Sequence, residues 1–281
     1  PDQYVGVTTY IGTSGATSVS NLQFKPDLVW LKNRDSGDGW HQWRDSVRGG
    51  DKNLASNSTA AESDASTKNL IFNSNGFTLT GTTDSRDDNY DGDDYVAWCW
   101  KAGGNSNTFN IDDVGYDTAS AAGLTAGTIT PTGASVNTKS GFSIVSWTGN
   151  GDAASIAHGL GVEPHLIIHK FRGGTSNWSV YTKVTGAGGR LKLNTTDAFS
   201  SDGSFPTTPT SSLFYVNAGS NDNDVSMIAY CWAEIPGFSK FGSYSGNSSS
   251  DGPVIVTGFK PRWIMIKSST STYGWYMYDT A

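Results

Sequence analysis

The stretch Phe24-Lys25-Pro26-Asp27-Leu28-Val29-Trp30-Leu31-Lys32 returns at 162–170 and again at 259–267. In each copy a proline is followed by four apolar or aromatic positions and then, six residues after the proline, by a lysine. A tryptophan lies 14 residues after each proline, at Trp40, Trp178 and Trp275. Coincidences of this kind predict tandem copies of one structural module.

The repeat divides the chain into modules. A strand-like segment opens module 1 at 4–11, and the same opening recurs at 142–147 and at 238–244. We therefore predict module 1 at 1–101, module 2 at 141–237 and the start of a third, incomplete module at 238–281. Residues 102–140 are dominated by Gly, Ala, Thr, Asn and Ser, and we interpret them as a connector or arm.

The composition favours an all-β protein. Of 281 residues, 36% are apolar, ten are tryptophan and only 16% are charged, while Gly, Ser, Thr and Asn are abundant. Each complete module has several short strands separated by turn signals, such as Asn75-Gly76 between two apolar runs. The run 28–31 does not alternate, which predicts a strand buried on both faces. We expect tandem antiparallel β-sandwich modules of jelly-roll or lectin-like type.

The charge excludes some partners. With a net charge of −7, the chain lacks the clustered Lys and Arg that neutralise a nucleic-acid backbone. It has no apolar run long enough to cross a membrane as a helix, and no basic amphipathic stretch. Cys99 and Cys231 occupy matching places in the closing strands of modules 1 and 2, so we expect two buried free thiols.

Aromatic and basic residues form the best candidate for ligand binding. They are Trp40, His41, Trp43 and Arg44. Tryptophans of this kind either stack on sugar rings at an exposed edge or fill cores and module boundaries. The fixed tryptophan spacing favours the second interpretation, and the cluster in module 1 remains the predicted receptor site.

An acidic segment offers a calcium candidate. Asp87, Asn89 and Asp91 follow the order of the first half of a calcium loop, but Trp98 stands where a bidentate Glu is needed. We interpret the segment as a solvated turn, with a calcium site as the alternative, and expect no other cofactor. His165 and His169 on one strand would lie about 13 Å apart, too far to share an ion.

The amino-acid sequence of the repeat resembles that of a module found in predicted structural and tail proteins of tailed bacteriophages, particularly marine ones. The residues that carry the resemblance span nearly the whole chain: 24–34, 45–49, 56–59, 75–77, 95–101, 107–110, 133–142 and 158–161. The resemblance implies a component of the virion surface and supplies no catalytic residue.

We therefore expect a non-enzymatic virion protein, such as a tail fibre, an adhesin or a head decoration, located on the extracellular virion surface. Its expected partners are copies of itself, of which a trimer is one form, other virion proteins and host-surface glycan. The alternative is a glycan-degrading tail enzyme, which needs two carboxylates about 5–9.5 Å apart.

Overall fold

The computed structural model describes residues 3–37, 39–65, 69–81 and 86–281. Regular structure in these ranges is almost entirely β, in sheets that are mostly antiparallel, and the single helical element described is the short turn Ala218–Ser220. The predicted all-β fold of sandwich type is confirmed.

Module 1 is a sandwich of two sheets. Its strands are β1 Val5–Ile11, β2 Thr17–Val19, β3 Leu28–Asn33, β4 Gln42–Asp45, β5 Gly49–Ala55, β6 Ser63–Asp64, β7 Leu70–Asn73, β8 Gly76–Leu79 and β9 Asp94–Trp100. The larger sheet has the order β1-β9-β3-β4-β5-β6, and the smaller has the order β2-β8-β7. The predicted hairpin forms between β7 and β8, where a Cβ on Gly76 would lie 1.9 Å from the carbonyl oxygen of Val19. Only glycine fits this turn.

Strand β3 is buried on both faces, as its unbroken apolar run predicts. Val29 and Leu31 face the smaller sheet and form the core of module 1 with residues such as Phe77. Leu28 and Trp30 face the opposite way, into a second core. Alternate side chains of one strand therefore serve two different cores.

Module 2 repeats this order and extends it. Its strands are β10 Phe109–Ile111, β11 Val114–Tyr116, β12 Gly133–Asn137, β13 Phe142–Thr148, β14 Ala154–Ala157, β15 Leu166–Phe171, β16 Ser179–Thr182, β17 Leu191–Lys192, β18 Leu213–Val216 and β19 Ser226–Trp232. The large sheet has the order β11-β10-β12-β13-β19-β15-β16-β17, and β14 pairs with β18. The part β13-β19-β15-β16-β17 corresponds to β1-β9-β3-β4-β5 of module 1.

The predicted connector at 102–140 supplies three strands to module 2. Strand β12 pairs antiparallel with β13, and β10 pairs parallel with β12. Phe109, Leu124 and Val136 are buried in the core of module 2. This segment is therefore part of the module 2 sheet, and its apolar positions are too few and too widely spaced to mark it as such from composition.

Module 3 contains one hairpin, β20 Trp263–Ile266 with β21 Tyr276–Asp279. The strand predicted at 238–244 does not form, which corrects the sequence analysis. The physical reason is pairing, because the equivalent strands β1 and β13 are held by the closing strands β9 and β19. Module 3 has no equivalent closing strand among the residues that the structure describes.

All three modules contribute to one buried cluster, which we call the axial core. Its buried members include Leu28, Trp30, Trp43, Leu54, Trp98, Trp100, Ile168, Trp178, Val180, Leu191 and Tyr230, and the partly buried Trp263, Met265, Trp275 and Met277 of module 3 pack against them. The Trp263 ring centroid lies 5.4 Å from that of Trp100 and 6.5 Å from that of Trp30. Module 3 therefore packs back onto module 1.

The register between β3 and β4, and between the corresponding strands β15 and β16 and β20 and β21, fixes which residues of the three modules are equivalent. Trp30 pairs with Trp43 in module 1, Ile168 pairs with Val180 in module 2, and Met265 pairs with Met277 in module 3. Trp43, Val180 and Met277 are therefore equivalent, and positions in the three modules can be counted from them.

Successive modules are joined by the same tryptophan hydrogen bond. The indole Nε1 of Trp178 in module 2 donates to the carbonyl of Ala55 in module 1 at 2.9 Å, and that of Trp275 in module 3 donates to Lys192 in module 2 at 2.9 Å. Both acceptors lie 12 residues after the equivalent positions Trp43 and Val180.

The repeated lysine makes a second shared contact. Lys170 Nζ in module 2 donates to the carbonyl of Thr59 in module 1 at 3.3 Å, and Lys267 Nζ in module 3 donates to Thr196 in module 2 at 3.1 Å. Both acceptors lie 16 residues after the equivalent positions. The lysine of the repeat is therefore a contact between modules.

The third boundary closes the arrangement. Tyr230 in module 2 donates from its hydroxyl to Asp45 in module 1 at 2.7 Å. The equivalent residue of module 1, Trp98, donates from its indole to Asp279 in module 3 at 2.9 Å. Contacts run from module 2 to module 1, from module 3 to module 2 and from module 1 to module 3. The modules form an approximate threefold ring around the axial core.

Candidate functional site

Strand β4 divides the predicted receptor cluster between core and surface. Trp43 is 0% exposed, and its ring lies 4.8 Å from Trp30, 5.1 Å from Trp178 and 4.6 Å from Tyr230. Because aromatic rings at these distances pack as a core, Trp43 stabilises the junction of modules 1 and 2.

Arg44 points to the opposite face of β4 and is also buried. Its guanidinium lies 3.2 Å from the carboxylate of Asp88 and donates to the carbonyl of Gly50 at 3.1 Å. Burial lowers the pKa of Arg44, and Asp88 opposes that effect. Because the buried guanidinium already donates to a carboxylate and a carbonyl, Arg44 has a structural role in this conformation.

Trp40 and His41 lie at the surface end of β4. Trp40 is 46% exposed, and its backbone N–H donates to the Asp87 carboxylate at 2.9 Å. His41 is half-buried, and burial together with nearby Lys32 lowers its pKa to about 4, so its ring is neutral at pH 7. The surface part of the predicted cluster is therefore one tryptophan and one neutral histidine.

Trp40 keeps the sequence spacing of the repeat but does not occupy the structural position of Trp178 and Trp275. Trp178 and Trp275 each lie two residues before the equivalent strand position, whereas in module 1 the residue two before Trp43 is His41. The bonds agree, because the backbone N–H of His41 donates to the Asn57 side chain as that of Trp178 donates to Asn194. The turn before β4 has one residue more than the equivalent turns, so Trp40 lies at the surface instead of at a boundary between modules.

The three predicted calcium ligands of the acidic turn make contacts with different parts of the chain. Asp87 accepts from Trp40, while the amide oxygen of Asn89 accepts from the backbone N–H of Thr13 at 3.1 Å. Asn89 is buried, and Asp91 is exposed. Within the described ranges, no group of three or more His, Cys, Asp or Glu side chains is placed to hold a metal ion.

His165, which directly precedes β15, and His169, within β15, have separate surroundings. His165 accepts a hydrogen bond from the backbone N–H of Glu234 at 3.2 Å and stacks on Phe241. His169 is buried against Trp147, with ring centroids 5.3 Å apart, and burial lowers its pKa to about 3. Cys99 and Cys231 are free and buried, as expected.

A polar groove of about 500 Å³ lies where module 1 meets strands β10–β12. Its lining includes Tyr4, Lys25, Lys101, Asp112, Asp113 and Lys139. No sequence pattern marks this groove, because its residues come from separate segments that only the fold brings together.

Charges in the groove are only partly paired. Lys101 Nζ lies 2.8 Å from the Asp113 carboxylate, and Asp112 accepts from the backbone N–H of Thr138 at 2.8 Å. Lys25 and Lys139 have no ion pair with any residue that the structure describes. The groove therefore offers two ammonium groups beside a half-buried tyrosine in a protein of net charge −7.

The fold and these surfaces define an all-β protein in which three related units surround a tryptophan-rich axis. The chain belongs to the family described as "Domain of unknown function (DUF7483)", whose model matches residues 1–281. Comparison with curated proteins and with solved structures returned no match to either. In the described part of the chain, no helix has the length and apolar character needed to cross a membrane.

Proposed function

We propose that the chain is a non-enzymatic structural protein of a virion surface, as a tail fibre, adhesin or head decoration that assembles with itself and other virion proteins. The observation that supports this proposal best is the equivalent hydrogen bonding at successive module boundaries around one buried core. Such an arrangement holds the three modules against one another through a shared core. The phage setting rests on the sequence resemblance of the repeat.

Immunogold electron microscopy tests this proposal. An antibody raised against the chain should label virus particles from cells that carry its gene, at one structural location. The control is the same antibody absorbed with purified chain, which should leave the particles bare. Label found only in the soluble fraction, with unlabelled intact particles, would contradict a virion role.

Glycan binding in the groove is a second proposed function. A volume of about 500 Å³ lies in the range of ~300–1,000 Å³ that is usual for small-ligand sites. Tyr4 offers a ring for stacking on a sugar, and Lys25 and Lys139 offer donors to acidic sugar groups. This location replaces β4 as the proposed site because Trp43 and Arg44 are buried.

A glycan array with labelled chain tests the second function. The double variant Lys25→Glu, Lys139→Glu should bind acidic glycans at least tenfold more weakly, while Lys52→Glu, which lies outside the groove, should bind normally. A blank array for the unmodified chain, or equal binding by the double variant, would refute the groove as a glycan site.

A glycan-degrading enzyme is the alternative. The adjacent carboxylates Asp112 and Asp113 of the groove are the pair to test, although each already accepts hydrogen bonds from its neighbours. Glycans bound on the array should be shortened by the chain if the alternative holds, and Asp112→Asn should abolish the shortening.

A further inference from the structure

A small pocket lies on the face of β4 that points away from the axial core, and we call it the β4 pocket. Its volume is about 120 Å³, and strands β4, β5 and β6 supply part of its lining together with the acidic turn. Gln42 and Arg44 of β4 pair with Leu31 and Val29 of β3, so they lie on the face that in β3 packs against the smaller sheet. Asn53 of β5 lines the same pocket.

Three lining residues of the β4 pocket each carry a buried polar atom that has no hydrogen-bond partner among the residues that the structure describes. These atoms are the side-chain oxygens of Gln42 and Asn53 and the Nε of Arg44. Gln42 and Arg44 are each 1% exposed, and Asn53 is 9% exposed. Buried polar groups nearly always have a partner, because an unpaired group loses its hydration without replacement. Two acceptors and one donor around one pocket therefore point to a bound molecule.

The equivalent polar residues of module 2 satisfy one another. By the register of the strand pairs, Ser179 is equivalent to Gln42 and Arg190 is equivalent to Asn53. Arg190 donates to the Ser179 hydroxyl at 2.6 Å and to the Asp202 carboxylate at 2.8 Å. The two unpaired carboxamide oxygens are therefore specific to module 1 and are not a general property of the repeat.

The charges around the β4 pocket favour an uncharged ligand group. Three carboxylates line the pocket, those of Asp64, Asp87 and Asp88. They disfavour an anion, while the guanidinium of Arg44 disfavours a metal ion or an ammonium group. A hydroxyl group fits the unpaired atoms, because it accepts a hydrogen bond from Arg44 and donates one to Gln42 or Asn53. Two neighbouring hydroxyl groups satisfy all three atoms.

We propose that the β4 pocket binds two neighbouring hydroxyl groups of a sugar or a polyol. A volume of 120 Å³ has room for about four water-sized groups at ~30 Å³ each, so the pocket takes the edge of a sugar and leaves its ring outside. Trp40 lies beside the pocket, because its backbone N–H donates to Asp87, and it is exposed. The C–H face of the sugar ring packs on Trp40. The pocket shares no lining residue with the groove, so this inference does not rest on glycan binding there.

Saturation-transfer NMR titrations of chain 1–281 test the proposal. The probes, used one at a time, are glycerol, methyl α-glucoside, methyl α-galactoside, methyl α-mannoside and acetamide. At least one of the four hydroxylated probes should bind at millimolar concentration. Asn53→Leu and Gln42→Met each remove a carboxamide from a side chain of similar size, and each should raise the dissociation constant at least tenfold. Ser179→Ala, at the equivalent position of module 2, is the matched control and should bind normally.

Trp40→Ala distinguishes the two sources of the hydroxyl groups. Weaker binding of a methyl glycoside with unchanged binding of glycerol identifies a sugar as the ligand. Equal binding of all probes by this variant and the unmodified chain identifies a small polyol.

Stability without ligand separates a binding role from a structural one. Asn53→Leu and Gln42→Met remove unpaired groups, so urea denaturation should show no loss of stability in either variant. A loss in both variants would overturn the proposal, because these groups would then have partners in the free protein. The proposal would also be overturned if none of the hydroxylated probes bound, which would leave a pocket that holds water alone, or if acetamide alone bound. Equal binding by the variants and the unmodified chain would place the ligand elsewhere.

Discussion

Arg172 of module 2 donates two hydrogen bonds of 2.9 Å to the two carboxylate oxygens of Glu62 in module 1. The same carboxylate accepts from the buried Arg48 at 3.1 Å. A bidentate pair of this kind is specific in geometry, and its partly buried position limits screening by salt. The pair therefore fixes module 2 against the segment of module 1 between β5 and β6.

Replacement of Glu62 should weaken the module boundary. Glu62→Ala leaves the partly exposed Arg172 without its carboxylate and leaves Arg48 with Asp45 alone, and the loss of these charged hydrogen bonds should cost about 2 kcal/mol of unfolding free energy. Urea denaturation followed by tryptophan fluorescence measures this loss. Lys52→Ala, at an exposed ion pair, is the control and should change stability little. Equal stabilities of the two variants would contradict the assigned role.

Two buried tyrosines allow a matched test of the hydrogen bond between Tyr230 in module 2 and Asp45 in module 1. Tyr230→Phe removes the hydroxyl that donates to Asp45, which should cost about 2 kcal/mol because the acceptor is charged. Tyr181 is equally buried, but its hydroxyl has no hydrogen-bond partner among the residues that the structure describes, so Tyr181→Phe should be neutral or slightly stabilising. Chemical denaturation of both variants checks this difference, and a larger loss for Tyr181→Phe would reject it.

The carboxylate of Asp27 should hold residues 102–104 in place. It accepts from the backbone N–H groups of Ala102 at 2.7 Å and Gly104 at 3.1 Å, and from the hydroxyls of Ser46 and Ser135. Burial raises the pKa of Asp27, while these hydrogen bonds oppose the rise. Asp27→Asn replaces one acceptor oxygen by a donor and leaves buried groups unpaired.

We expect the Asp27→Asn variant to show at least tenfold faster hydrogen exchange at 102–104. The exposed Asp117→Asn variant is the control and should leave exchange there unchanged. If both variants exchange alike at this segment, Asp27 does not anchor it.

His169 should make the protein sensitive to acid. Its pKa falls from 6.5 to about 3 because burial, with Arg190 and Lys170 nearby, disfavours the charged ring. The unfolded chain therefore binds more protons than the folded chain between these values, so stability present above about pH 6.5 is lost as the pH falls towards 3. The loss is about 1.4 kcal/mol for each pKa unit.

His169→Leu should flatten this part of the pH profile, because Leu31 occupies the same position in module 1 and fits a similar core. The measurement is the free energy of unfolding at pH 4 and pH 7. His158 and His41, whose pKa values are lowered to about 4, supply the residual slope. An unchanged slope in the variant would show that His169 does not contribute.

Features with a local signal could be predicted from the sequence. The run 28–31 predicted a strand buried on both faces, and Asn75-Gly76 predicted the hairpin, because side-chain pattern and turn chemistry depend on near neighbours. The prediction of a strand at 238–244 was wrong, because a strand forms only with a partner. Its sequence pattern matches that of β1, but the described part of module 3 has no equivalent of β9, the strand that pairs with β1. The groove could not be predicted from the sequence, because its lining residues come from several separate segments.

By itself, the sequence of this protein determined the all-β class, the repeat and the face-by-face burial of its central strands, because these follow from composition and from period. Only the tertiary structure decided that the modules close into a ring, that 102–140 belongs to the second sheet, and that His41 rather than Trp40 is equivalent to Trp178. The reason is physical, since one inserted residue shifts the register of a strand while leaving the spacing of tryptophans in the sequence intact. Contacts between modules depend on that register, which pairing in three dimensions sets.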